Sequence, residues 1–248
     1  RRQRQMCIRD RRYVSPAGSE YEFLDGSDGE PFVEMDTLTG FVGIFEDTPV
    51  QSVGVPGAVV DFRDRVVHQM AGSFTLVVFD RGQWEQARRD FSTREYGTLI
   101  LEGGRRFELP VRLSEALPVP GHVPAAGSRL EVSMVADTGV WLSRASATNS
   151  VSVTNWGDVP VWPEIVWKGN NQSVVLPSGV GFPLPYVMGT HRLPLDRRAS
   201  GKAVGEESSS VVKTDAVGEM VPVGATRKYT VTTGARVEWS VGVLDPWS

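Results

Sequence analysis

Apolar and polar residues alternate at every second position in many segments of this chain, and this pattern limits the folds open to it. Tyr21 and Phe23 alternate with glutamates, and Leu130, Val132 and Met134 alternate with charged or small polar residues. A strand places successive side chains on opposite faces, so each such segment can bury one face and expose the other. We therefore expect a mainly β protein.

One segment follows a helical period instead. Asp80 can cap a helix, and Gln83 stands three residues later, as in a capping box. Trp84, Ala87 and Phe91 then recur at spacings that fall on one helical face. The spacing predicts one α-helix over residues 81–93, docked on a sheet by its tryptophan.

Turn residues and prolines indicate how the strands are grouped. Gly103-Gly104 and Thr233-Gly234 each separate two apolar runs, which predicts two hairpins. Prolines and glycines concentrate in residues 118–128, which predicts a linker. We expect an N-terminal β domain at 1–117 with the helix and a C-terminal β domain at 129–248, both built as sandwiches or barrels.

Charge is unevenly distributed near the start of the sequence. Six arginines form a basic segment: Arg1, Arg2, Arg4, Arg9, Arg11 and Arg12. Residues 13–62 then contain ten acidic residues and no lysine or arginine. A basic arm and an acidic face suit pairing between copies of the chain, although two solvated surfaces of one domain would give the same pattern.

The supply of reactive side chains argues against several classes of protein. Cys7 is the only cysteine and the three histidines stand apart in sequence, so we expect no disulfide, no metal site and no cofactor. A net charge of −4 gives no reason to require nucleic-acid contact. No run approaches the roughly 18 apolar residues of a membrane helix, so no membrane insertion is expected.

Catalysis is likewise not expected. Ser210 and Lys213 match a Ser-x-x-Lys spacing, but they follow a Gly- and Ser-rich segment instead of opening a helix. Cys7 has no histidine near it in sequence. Without a base within reach of a nucleophile, we expect no catalytic residues and no enzyme activity.

Tryptophan is concentrated in the second half of the chain. Six of the seven tryptophans lie there: Trp141, Trp156, Trp162, Trp167, Trp239 and Trp247. Such residues serve most often as core or interface anchors. The alternative is a carbohydrate-binding module in which several of the rings share one exposed face and contact glycans of the host surface.

Two segments of the second half resemble the distal tail proteins of siphophages. Residues 130–141 (LEVSMVADTGVW) resemble the strand that ends in an acidic residue and a tryptophan, and opens the second domain in that family. Residues 151–165 (VSVTNWGDVPVWPEI) are similar to its element with an Asn-x-Gly turn and a Pro-rich strand. The positions that carry the pattern are Trp141, Asn155, Gly157, Pro160, Pro163 and Trp247.

The resemblance implies a structural virion protein at the distal end of a phage tail, made in the cytoplasm of a bacterial host. Its first domain would form a homo-oligomeric ring, usually of six subunits, and its second domain would be galectin-like. The ring would join the tail tube protein to the tail hub or tail-associated protein, with the tape measure protein as a further candidate partner. Sugar binding does not follow from a galectin-like shape.

The family's belt segment would fall within residues 35–55. Phe41, Val42, Ile44 and Phe45 are apolar there without a regular period. An apolar segment with no partner in its own domain is suited to binding a neighbouring subunit. We therefore predict that these four residues form a subunit interface.

Overall fold

The computed structural model describes residues 10–51, 53–54, 56–61, 65–119, 125–196, 199, 201–207 and 210–247. Among the described residues, strands account for 50% and helices for 6%, with one α-helix, so the predicted mainly β class is confirmed. The chain divides into two compact units: unit 1 comprises Arg1–Trp141 and Leu244–Ser248, and unit 2 comprises Leu142–Val243.

Unit 1 contains twelve strands in its described part, together with helix α1 (Arg81–Asp90) and a short 3-10 helix at Met35–Thr37. The strands are β1 (Asp10–Val14), β2 (Glu20–Leu24), β3 (Phe32–Glu34), β4 (Thr39–Gly40), β5 (Phe45–Glu46), β6 (Pro49–Val50), β7 (Val59–Val60), β8 (Val66–Val67), β9 (Met70–Val78), β10 (Gly97–Glu102), β11 (Arg106–Leu113) and β12 (Ser128–Ala136).

Seven of these strands form a closed barrel. Their order is β10-β1-β2-β3-β9-β12-β11, and β11 pairs with β10 to complete the circle. The pairing of β2 with β3 is parallel and the others in the barrel are antiparallel. Closure leaves no unpaired edge in the barrel. The predicted hairpin at Gly103-Gly104 is confirmed as the turn between β10 and β11.

Aromatic rings fill one end of the barrel core. Tyr13 stacks on Phe91 with ring centroids 4.5 Å apart, and Phe74 lies 6.1 Å from Phe91. Tyr21 donates a hydrogen bond of 2.6 Å to the fully buried carboxylate of Asp90, at the end of α1. Burial and that carboxylate raise the pKa of Tyr21 far above its usual value. The last turn of the helix is thereby fixed to the barrel.

The predicted helix is confirmed, although it ends three residues early. Asp80 caps it by accepting a hydrogen bond of 2.8 Å from the backbone N–H of Gln83. Trp84 and Ala87 are buried on its inner face, as the spacing indicated. Phe91 leaves the helix with extended backbone and packs into the barrel core instead.

The division between the units differs from the predicted boundary at 118–128. Strand β12, which was expected to open the second domain, pairs with β9 over nine residues and with β11, and completes the barrel. Its apolar face, including Leu130 and Val132, is buried in unit 1. The described residues at both ends of the expected linker connect β11 to β12 inside unit 1.

Unit 2 contains ten described strands. They are β13 (Trp141–Thr148), β14 (Ser150–Thr154), β15 (Glu164–Gly169), β16 (Ser173–Val175), β17 (Gly181–Pro183), β18 (Val187–Pro194), β19 (Lys202–Gly205), β20 (Val211–Lys213), β21 (Thr226–Val231) and β22 (Ala235–Val243).

The strands of unit 2 form two sheets. One has the order β13-β22-β15-β18-β19-β20 and the other the order β14-β21-β16-β17. Apolar side chains from both sheets make one core, among them Val153 and Tyr229 from the smaller sheet and Ile165 and Leu193 from the larger. Unit 2 is therefore a β-sandwich.

The predicted hairpin at Thr233-Gly234 is wrong. Strand β21 pairs with β14 and β16, whereas β22 pairs with β15 in the other sheet. The turn carries the chain from one sheet to the other. Alternation shows which face of a strand is buried but does not show which sheet the strand joins.

Candidate functional site

A hairpin-like segment of unit 1 stands apart from the barrel ladder. We call residues 42–67 the arm; its described part contains two short antiparallel pairs, β5 with β8 and β6 with β7. In the second pair Val50 lies directly opposite Val59. The arm covers most of the predicted belt, residues 35–55, and also includes the returning strand.

The arm exposes an unusual number of large aliphatic side chains. Six of them are more than half exposed: Val42, Ile44, Val50, Val53, Val59 and Val66. Scattered exposed apolar residues are ordinary, but a group of this size on one short segment is characteristic of a protein-binding surface. The exposure of Val42 and Ile44 suits their predicted role, which stays a prediction.

Phe41 does not belong to this surface, so its predicted place at the subunit interface is wrong. Its side chain is fully buried in unit 1, and its ring leaves no space for a Cβ atom on Gly72. Its N–H donates to the oxygen of Ala71 at 3.0 Å, and the Trp141 indole donates to its carbonyl at 2.8 Å. Apolar composition alone could not separate this core residue from its exposed neighbours.

The root of the arm has a defined backbone conformation. Gly40 and Phe41 both have positive φ angles, 77° and 57°, and these turn the chain away from β4. The N–H of Gly43 then donates to the oxygen of Leu244 at 2.8 Å. A Cβ atom on Gly43 would lie 2.7 Å from the backbone oxygen of Gly139, so the close approach requires glycine.

Polar side-chain contacts lie next to the root of the arm. Arg65 Nε lies 2.5 Å from Asp47, and its guanidinium lies 5.5 Å from the Phe45 ring centre. His68 Nε2 lies 2.8 Å from Glu46. Phe45 is half-buried beside these groups. Its exposure lies between that of the buried Phe41 and that of the exposed Val42 and Ile44, the other predicted interface residues.

The predicted basic arm at the start of the chain is only partly described. Four of its arginines lie outside the described residues: Arg1, Arg2, Arg4 and Arg9. Arg11 and Arg12 belong to barrel strand β1, not to a projecting arm. Arg12 lies 3.1 Å from Glu102 and 3.6 Å from Glu20, so its charge is paired inside unit 1.

A polar groove of about 280 Å³ lies within unit 2. Its lining includes Arg144, Trp162, Glu164, Arg192 and Glu238. Glu164 and Glu238 are directly opposite each other on β15 and β22, where two like charges would repel. Arg192 counteracts this repulsion, because its positively charged Nη1 atom lies 2.5 Å from Glu164 and 2.6 Å from Glu238.

Two further ion pairs extend the network at this groove. Arg192 also reaches Glu206 at 2.8 Å, and Arg236 reaches Glu238 at 2.6 Å. Burial opposes ionisation of Arg192, but its three carboxylate partners outweigh burial and raise its pKa. Burial opposes ionisation of Glu238 in the same way, yet hydrogen bonds from Arg236 and Arg192 hold its pKa below the usual value. Arg192 and Glu238 therefore both stay charged at neutral pH.

The tryptophans do not form the expected platform of several exposed rings. Trp141 and Trp167 are fully buried, and the half-buried Trp239 packs against the unit 2 core and also lines the polar groove. Trp156 is exposed, and Trp162 is half-buried at the polar groove. These different environments arise because the residues belong to several strands and to both units.

Trp141 and Trp247 make an edge-to-face contact in unit 1, with centroids 5.7 Å apart. Trp247 stands two residues after Asp245, whose carboxylate accepts a hydrogen bond of 2.9 Å from its N–H. The end of the described chain is thus packed into unit 1. Both positions of the family pattern have structural roles here.

The loop with Asn155 is held by buried polar contacts. The Asn155 side chain donates to the oxygens of Val159 and Val221 at 2.9 and 3.0 Å, and accepts from the N–H of Gly157 at 3.1 Å. A Cβ atom on Gly157 would lie 2.3 Å from a backbone oxygen. Both residues of the Asn-x-Gly pattern are therefore explained by the structure of this loop.

The two prolines of the same pattern differ in burial. Pro160 is exposed in the loop, whereas Pro163 is buried immediately before β15. The oxygen of Pro163 accepts a hydrogen bond of 3.0 Å from the N–H of Leu195. Pro163 thus supports the start of a central strand of the larger sheet.

One serine does lie beside a histidine, which sequence spacing did not indicate. His191 Nε2 is 2.9 Å from the hydroxyl of Ser210, and the His191 ring is buried beside Trp167. Among the described atoms, His191 Nδ1 has no hydrogen-bond partner, so no third group orients the imidazole. The geometry lacks the orienting group of a catalytic triad.

Among the described residues, no group of three or more His, Cys, Asp or Glu side chains converges in a way that could hold a metal ion. Among the helices of the same residues, none is long and apolar enough to cross a bilayer.

The fold of the chain is similar to that of solved phage hub and baseplate proteins. No protein-family model and no curated protein matches its sequence. Among solved structures, it is similar to the SPP1 Dit (gp 19.1) protein, described as a paradigm of the hub adsorption apparatus in phages that infect Gram-positive bacteria. The identity is 12%, the TM-score is 0.55, and the match covers 94% of this chain and 98% of that chain.

Two further similar chains come from the phage P2 baseplate in its activated conformation, with calcium and with strontium. Their identities are 9% and 8%, and both TM-scores are 0.55. Each match covers 93% of this chain and nearly all of the other. At such identities the likeness concerns the fold, and it extends over both units.

Proposed function

We propose that this chain is a structural virion protein that forms a ring at the distal end of a phage tail, with the arm as a subunit contact. The observation that carries the proposal is the group of exposed aliphatic side chains on residues 42–67. The similarity in fold to hub and baseplate proteins supports it. The ring joins the tail tube to the hub, and six subunits are expected.

The closed barrel supports the same proposal. Since its strands leave no free edge, copies of unit 1 can pack side by side without uncontrolled strand pairing. Contacts through the arm are then selective, because they depend on particular aliphatic side chains. The proposed partners are other copies of the chain, the tail tube protein, the tail hub or tail-associated protein, and the tape measure protein.

The proposed role is non-catalytic and needs no contact with nucleic acid. The Ser210–His191 pair is the nearest approach to a nucleophile with a base, and its imidazole has no orienting partner among the described atoms. Replacement of Ser210 by alanine should leave ring formation unchanged. A loss of assembly in that variant would require a different account of the pair.

Electron microscopy of the purified full chain tests the proposal directly. We expect closed rings with a single symmetry, and a matching mass by light scattering at high protein concentration. When the tail tube protein is added, it should stack onto one face of the ring. A protein that stays monomeric at every concentration, alone and with the tube and hub proteins, would contradict the proposal.

A further inference from the structure

The polar groove of unit 2 has no part in the proposed ring contact, and its chemistry indicates a ligand class. Two arginines and two glutamates line it, Arg144, Arg192, Glu164 and Glu238, so their formal charges cancel. The two outer partners, Arg236 and Glu206, also cancel. A groove with balanced charge offers no net attraction to an anion or a cation.

The same groups present fixed hydrogen-bonding atoms. Arg192 is held at 2.5–2.8 Å by three carboxylates from different segments, so it cannot rotate freely. Carboxylate oxygens accept hydrogen bonds and guanidinium N–H groups donate them, so the groove offers both kinds side by side. A hydroxyl group can donate and accept at once, and a compound with several adjacent hydroxyls matches such a surface.

Trp162 adds an apolar wall. Burial alternates along residues 161–165: Val161, Pro163 and Ile165 are buried, whereas Trp162 and Glu164 are half-buried on the groove side. A flat aromatic ring binds well against a ligand that has one apolar face and polar edges. Pyranose sugars combine C–H faces with hydroxyl edges.

We propose that this groove binds a neutral saccharide, with Trp162 against the sugar face and Arg144, Arg192, Glu164 and Glu238 at its hydroxyls. The proposal is independent of ring formation. It differs from a platform of several exposed tryptophans, because the site is a charge-balanced network beside two half-buried rings, Trp162 and Trp239.

Saturation-transfer NMR on the full chain tests the proposal with lactose, maltose, cellobiose and N,N′-diacetylchitobiose, and with digalacturonic acid as an acidic comparison. We expect saturable transfer to at least one neutral disaccharide. Trp162→Ala and Arg144→Ala should each weaken its binding by about tenfold or more. Trp156→Ala and Arg227→Ala are matched controls, because both residues are exposed in unit 2 outside this groove.

The controls should bind as the unaltered chain does, and circular dichroism should show all four variants folded. The proposal is overturned if no neutral disaccharide binds, if only the acidic sugar binds, or if the two groove variants bind as well as the controls. Light scattering on Trp162→Ala separates this result from the proposed function, since ring assembly should not change. An unaltered chain that forms no rings, alone or with the tube and hub proteins, but still binds the sugar would contradict only the assembly proposal.

Discussion

Replacement of one valine pair on the arm should weaken assembly without destabilising the subunit. Val50 and Val59 face each other across β6 and β7, and their side chains are 62% and 72% exposed. Full burial of a valine contributes roughly 1.5 kcal/mol, so covering the exposed fraction contributes about 1 kcal/mol for each. The double change to serine should therefore cost about 2 kcal/mol at each subunit contact.

That cost corresponds to roughly a 30-fold weaker contact, because each 1.4 kcal/mol changes the equilibrium constant about tenfold. Sedimentation velocity over a concentration series should show ring formation displaced to higher concentration by at least this factor. The free energy of unfolding of the monomer should change by less than about 0.5 kcal/mol, since both side chains are exposed in the isolated chain. Urea unfolding of the monomer would measure it.

A matched control exists in unit 2. Val204 and Val211 also form a cross-strand pair, and they are 46% and 56% exposed. Their double change to serine removes the same number of methyl groups from a surface outside the arm. If the arm variant assembles at the same concentration as the unaltered chain, or if the control weakens assembly equally, the arm is not the subunit contact.

Three other changes test the internal contacts. Phe41→Ala should lower the free energy of unfolding by about 3–5 kcal/mol, because the ring is fully buried; guanidinium unfolding should show it, and a small loss would put Phe41 back at an interface. Asn155→Ala should cost about 2–4 kcal/mol by leaving two carbonyls and one N–H unpaired; an unchanged thermal midpoint would refute this role. Glu238 has a depressed pKa in the folded chain because of Arg192 and Arg236, so its stabilisation is present above its usual pKa of 4.5 and is lost as pH falls through the lower folded value. Urea unfolding at pH 7 and pH 3 should therefore show Glu238→Gln less stable than the unaltered chain at pH 7, with a smaller difference at pH 3; a difference independent of pH would contradict the ion-pair explanation.

Local patterns predicted the local parts of the fold. The cap at Asp80 and the spacing of Trp84 and Ala87 depend on residues within a few positions of each other, and the helix formed as expected. The hairpin between β10 and β11 is also local. Its sequence contained both the turn and the two alternating strands that the turn joins.

The sequence did not show which distant segments pair with each other or which apolar residues reach the core. Strand β12 alternates in the same way whether it completes a barrel or opens a sandwich, so the boundary was placed too early. Phe41 and Ile44 are equally apolar, yet one is core and the other is exposed. Only the positive φ at Gly40 and Phe41, which sequence does not display, turns the chain between these two environments.

The residues of the polar groove in unit 2 could not be brought together from the sequence either. Glu164, Arg192 and Glu238 come from three strands separated by 28 and 46 positions, and no motif links them. Trp162 and Trp239 line the same groove beside these charged residues. Each residue, taken singly, fits an ordinary exposed strand position, so the cluster became visible only through the register of β15, β18 and β22.

The close packing at the root of the arm has a consequence for the kinetics of association. Gly43 is fixed by a backbone hydrogen bond from its N–H to Leu244, and Phe41 is locked in the core on its other side. The direction in which the arm leaves unit 1 is therefore fixed before it meets a binding partner. Little backbone entropy is then lost at its root on binding. Such preorganisation lowers the number of orientations that must be searched, so in the proposed ring it should speed the joining of subunits.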